Sequence, residues 1–183
     1  MAGLLNRGID VLAAVNSRVM PFLVRVASIL IWSMTAVVVV GVFFRYVLNN
    51  SLPWAEEFAI LSAIWVAFLV APHAYRTGGH VAIELIISAL PNAVTRGFRI
   101  ILNLLVLWIL YRFFFEALTF VERGNFQRAN TIPVQTSWFR SIVPLSLAMM
   151  TLVGVELILR DLFGLITGSR DRDLPHLQPV EPE

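Results

Sequence analysis

The sequence predicts an all-α integral membrane protein, with four transmembrane helices and short interfacial amphipathic helices. Two observations carry that expectation. Of 183 residues, 58% are hydrophobic and only 14% charged, and the mean hydropathy is +0.77. A soluble domain of this size needs more charge on its surface. The apolar residues are also gathered into four runs, each long enough as a helix to cross a bilayer core of about 30 Å.

The first span is Phe22 to Phe44, "FLVRVASILIWSMTAVVVVGVFF". As a helix it is about 34 Å long. Its one charge, Arg25, lies near the start, where it can snorkel to the headgroups. A cleaved signal peptide is the competing reading. The run is too long for an h-region, and no small-x-small cleavage site follows. Further spans are expected at about 57–75, 100–120 and 138–159. Trp54, Tyr75 and Trp138 fall near the span ends, where aromatic belts form.

Two apolar segments are too short or too polar to span. Residues 1–20 read as an N-terminal amphipathic interfacial helix. Asn6, Arg7, Asp10, Ser17 and Arg18 share one side of a helical wheel, and Leu5, Leu12, Val15 and Val19 share the other. Residues 80–90 read as a second interfacial helix, with His80, Glu84 and Ser88 recurring every four residues. Lying in the headgroup plane would satisfy both faces of each. A loop helix packed on protein is the alternative for the second. The four-helix membrane domain then covers 21–167, and 168–183 is a polar, Pro-containing tail expected to be disordered. With the N-terminus inside, nine arginines fall on the cytoplasmic side and five outside. That bias places both termini in the cytoplasm.

Several function classes lose their footing. There is no cysteine, so no disulfide, thiolate metal site or Cys nucleophile exists. The three histidines, His73, His80 and His176, are far apart, and no metal or cofactor is expected. The arginines are scattered singly, which argues against nucleic acid. Ionisable residues within spans call for explanation. Arg112 and Glu116 lie four apart on the third span, and Glu156 and Arg160 repeat the spacing on the fourth. Both are read as self-neutralising ion pairs. No span is interrupted at its middle by Gly or Pro, as substrate-carrying transporters often are. A self-sufficient small oligomeric channel or transporter, lined by Arg112 and Glu116, is the alternative.

The stretch "FRYVLNNSLPWAEEFA" holds the other charges of interest. Asn49, Asn50 and Ser51 make a turn, and Pro53 suits the first turn of a helix. Glu56 and Glu57 then sit at the positive end of the helix dipole. Adjacent helical residues point about 100° apart. At least one acid is therefore expected to turn toward Arg45 or toward another protein.

Taken in order, Arg45-Tyr46, Trp54-Ala55-Glu56-Glu57, Gly78-Gly79-His80 with Glu84, and Pro133 with Trp138 resemble the small (DctQ-type) membrane subunit of tripartite ATP-independent periplasmic (TRAP) transporters. The resemblance covers about residues 20–165. The acid after the histidine is more often Asp in that family, so Glu84 departs from it. The resemblance implies a scaffold in the bacterial inner membrane. Its partners would be a large membrane subunit and a periplasmic substrate-binding protein, in sodium-coupled uptake of an organic acid without ATP. It makes Arg45, Trp54, Glu56, Glu57, His80 and Glu84 candidates for the subunit interface, and implies no catalytic residue.

Overall fold

In a computed structural model the chain is described over residues 2–77, 92–126, 131 and 135–167. Among the described residues five helices follow in order: α1 (Ala2–Tyr46), α2 (Pro53–Arg76), α3 (Asn92–Gly124), α4 (Thr136–Arg140) and α5 (Ile142–Thr167). Among the described residues four stretches are long and apolar enough to cross a membrane: Asn6–Tyr46, Pro53–Arg76, Gly97–Gly124 and Thr136–Ile166. The expected interfacial helix at 80–90 and the tail at 168–183 lie outside the described residues.

The turn between α1 and α2 follows the local chemistry. Asn49 takes a positive φ of 50°, a conformation asparagine tolerates better than most residues. Asn50 N donates to Phe44 O at 3.0 Å, closing the end of α1. Pro53 then opens α2, with Glu56 in its first turn. A proline there gives up an N–H that has no helical partner anyway.

The fourth span is split at Ser141 into α4 and α5. Pro144 has no N–H to offer the Arg140 carbonyl, and its ring crowds that carbonyl. The chain therefore turns once before the long helix begins.

The N-terminal segment departs from the sequence expectation of a separate helix over 1–20. Helix α1 runs unbroken through Pro21 and is about 68 Å long, twice a bilayer core. One proline removes one hydrogen bond from the ladder, and a helix can absorb that loss. Packing supplies the reason to continue. Ile9, Asn16 and Met20 are buried, and a Cβ added at Gly8 would stand 3.7 Å from Leu159 Cδ1.

Helix α1 packs on α2, α3 packs on α5, and α2 and α5 meet at the centre, with α1 also touching α5. One core cluster joins Met20, Tyr75, Val153 and Leu157. A second joins Ala27, Leu69 and Ile142. Gly154 lets α3 and α5 close, because a Cβ there would stand 2.9 Å from Leu107 Cδ2. Polar ties across the bundle fix the register. Trp65 Nε1 donates to Phe139 O at 3.0 Å, and Ser146 Oγ donates to Phe68 O at 2.6 Å.

Candidate subunit interface

At the α1–α2 turn the two acids part. Glu56 meets Arg45 at 3.2 Å, with side-chain exposures of 78% and 60%. A pair this exposed contributes at most about 1 kcal/mol. Glu57 is half-buried and turns the other way. It accepts hydrogen bonds from Thr131 N at 2.7 Å and from the Thr131 hydroxyl. One acid thus faces back onto α1 and its neighbour binds Thr131. The roughly 100° between adjacent helical side chains makes that division possible. Trp54 is exposed. A cavity of about 420 Å³ lies beside these residues, walled by Gly41, Val42, Arg45, Leu52, Pro53 and Glu56 among others. Gly41 draws the two helices together there, since an added Cβ would come within 3.3 Å of Ala55 Cβ. His80 and Glu84 lie outside the described residues.

At the opposite end of the bundle Glu156 is fully buried. Arg160, one turn on, donates to Glu156 Oε1 from Nη2 at 2.7 Å and from Nε at 3.0 Å. Arg76, at the end of α2, donates from Nη2 to Oε1 at 3.0 Å and from Nε to Oε2 at 3.2 Å. Asn16 Nδ2 of α1 donates to Oε2 at 2.5 Å. One carboxylate therefore ties α1, α2 and α5 together. Next to it, Tyr75 donates its hydroxyl hydrogen to Asn103 Oδ1 at 2.8 Å and brings in α3. A carboxylate buried this deeply needs partners on several sides to offset its lost hydration.

Sequence reading offered Arg160 as partner and missed Arg76 and Asn16. A signal for Asn16 was present. Ile9, Ala13, Asn16 and Met20 recur at the spacing of an inward helix face, which puts Asn16 toward protein. Arg76 could be found from topology, because α2 and α5 end on the same side of an up-down bundle.

Arg112 and Glu116 behave differently. Both are exposed, and among the described residues no hydrogen bond or ion pair joins them. The order of the pair explains this. Helical side chains lean toward the N-terminus. Acid before base is the more favourable order at this spacing, and Glu156–Arg160 has it while Arg112–Glu116 does not.

Comparison with known families decides what kind of protein carries this arrangement. The family described as "Tripartite ATP-independent periplasmic transporters, DctQ component" matches residues 34–164. The chain belongs to that family. It is the small membrane component of a TRAP transporter, a transporter component and not a member of an enzyme family. The match runs from the last third of α1 to the last turns of α5. It therefore takes in the C-terminal part of α1, the α1–α2 turn, all of α2 and α3, and α5 through Glu156. No curated protein matches the chain.

Proposed function

We propose that this DctQ-family chain is the stationary scaffold of its transporter. It supports a large membrane subunit during sodium-coupled, ATP-independent uptake of an organic acid delivered by a periplasmic binding protein. The observation that carries the scaffold reading is Glu156. A buried carboxylate gripped by α1, α2 and α5 resists relative motion of those helices, because sliding any one of them leaves a buried charge without its partner. The chain lies in the bacterial inner membrane with both termini cytoplasmic, in keeping with its arginine distribution. The exposed cluster Arg45, Trp54 and Glu56, with Glu57 beside it, faces the large subunit near the periplasmic surface. His80 and Glu84 are the further interface candidates that the family resemblance implies.

The test is co-expression with the large membrane subunit and the binding protein, followed by pull-down of this chain in mild detergent. A stoichiometric large polytopic partner supports the scaffold. Reversing both acids (Glu56→Lys with Glu57→Lys) is expected to lower complex yield more than expression of the chain. Unchanged yield and uptake would remove these residues from the interface. The outward position of Arg112 and Glu116 is the one observation that favours the rival reading, a small oligomeric channel. That reading requires ion or solute flux in vesicles containing this chain alone.

A further inference from the structure

Two outward surfaces of the bundle differ in a way a bilayer would not tolerate equally. From Val26 to Phe44, α1 carries no charge. Its outward residues include Ile29, Trp32, Val39 and Phe43. Its exposed hydroxyls are satisfied within the helix, Ser28 Oγ donating to Val24 O at 2.9 Å and Thr35 Oγ1 to Ile31 O at 2.8 Å. Lipid tails are an adequate neighbour for that face.

Helix α3 presents a different stripe. Ile101, Leu105, Trp108, Arg112 and Glu116 recur at helical spacing, and all are exposed. The buried residues Leu110 and Ala117 lie roughly 140–160° around the helix from Arg112. The stripe therefore points away from the bundle. Arg112 sits near the middle of the Gly97–Gly124 span, about 22 Å of helix from its start and about 18 Å from its end. A core of about 30 Å centred on this span leaves the guanidinium well inside hydrocarbon. Snorkelling does not rescue it. Its nearer exit is toward the helix C-terminus, and helical side chains lean toward the N-terminus. Neither Arg112 nor Glu116 has a charged or hydrogen-bonding partner among the described residues. A charge so placed in lipid is costly, and in membrane proteins it faces protein instead.

We infer that the Ile101–Glu116 stripe of α3 is the surface that packs against the large membrane subunit. It receives a transmembrane helix that brings a carboxylate to Arg112 and a cationic or hydrogen-bond-donating side chain to Glu116. The apolar members of the stripe provide the contact area on either side of these two charges. A cavity of about 310 Å³ beside Glu116, bordered by Phe120, Leu147 and this chain's own Arg123, leaves room for a long side chain to reach that acid. This inference rests on the scaffold reading, since it names the surface by which the scaffold holds its partner within the membrane.

The experiment uses the full chain co-expressed with the large subunit and the binding protein, in intact membranes. A benzophenone side chain is placed at Trp108 or Leu105 of α3 and, separately, at Trp32 or Val39 of α1. Irradiation is expected to join the chain to the large subunit from α3 and not from α1. Arg112→Leu is expected to lower the co-purified large subunit at least about tenfold while the amount of this chain in the membrane holds steady. Leucine is the better residue if Arg112 merely faces lipid, so an unchanged or higher complex yield overturns the inference. Cross-links to the large subunit from α1 alone also overturn it and leave the scaffold reading intact. A dimer of this chain cross-linked through α3 makes a second copy the occupant and overturns it. Failure of any large partner to co-purify overturns both readings together.

Discussion

Two Arg/Glu pairs with the same spacing end in opposite environments. Glu156 and Arg160 meet at 2.7 Å inside the bundle, with Arg76 and Asn16 completing the shell. Arg112 and Glu116 stand exposed on α3 with no bond between them. Spacing is the same, and order is not. Acid before base is the more favourable order at this spacing. The difference teaches that an i,i+4 pair is only an opportunity. Direction within the helix and the face presented to the bundle determine whether it closes. The closed pair is internal structure. The open one is surface chemistry awaiting a partner.

The sharpest way to break the closed site is Glu156→Leu. It takes from Arg76 and Arg160 the buried carboxylate they share. Removing one member of a buried ionic cluster costs about 3–5 kcal/mol, and the expected outcome is a large drop in folded chain recovered in mild detergent. Thermal unfolding followed by size-exclusion chromatography measures it. An unchanged midpoint would show that Glu156 does not hold the helices together.

Asn16→Ala should do less. It removes one hydrogen bond to a charged acceptor, worth about 1.5–3 kcal/mol, and leaves both arginines in place. The loss should be local, because Asn16 is the contact by which α1 reaches the cluster. Limited proteolysis is expected to cut the first 20 residues faster in the variant while α2, α3 and α5 remain protected. Equal cleavage of variant and parent would show that Met20 and Ile9 suffice to hold the segment.

The smallest effect sharpens the role of order. Exchanging the two residues (Arg112→Glu with Glu116→Arg) places the acid first on α3. An intrahelical pair then becomes possible, worth about 0.3–0.5 kcal/mol at an exposed helix site. The chain purified alone should be slightly more stable, read as a shift in unfolding midpoint. Its yield of complex should fall as in Arg112→Leu. A gain in complex would mean that neither charge meets a fixed partner.

Much of the membrane architecture was legible in the residues. The four apolar runs became four membrane-length helices. The Asn49–Pro53 turn formed where a residue tolerant of positive φ precedes a proline that suits a helix start. The continuous α1 was not legible, because Pro21 reads locally as a boundary. The contacts that override it, from Met20 to α5, join residues more than a hundred positions apart. Asn16 and Glu156 are 140 positions apart, and no local pattern connects them. Glu57 was legible as a helix-start acid but not as the acceptor for Thr131, which depends on how the chain returns before α4.

The sequence by itself determined the membrane class, the four spans, the turn chemistry and the presence of charges within apolar helices. These follow from hydropathy, helix rise and local steric preference, all of which act between near neighbours. The tertiary structure alone decided which charges are neutralised inside and which face out. That outcome depends on the rotation of each helix against the others. Rotation is set by long-range packing, as where Gly154 admits Leu107 and where Asn16 meets Glu156.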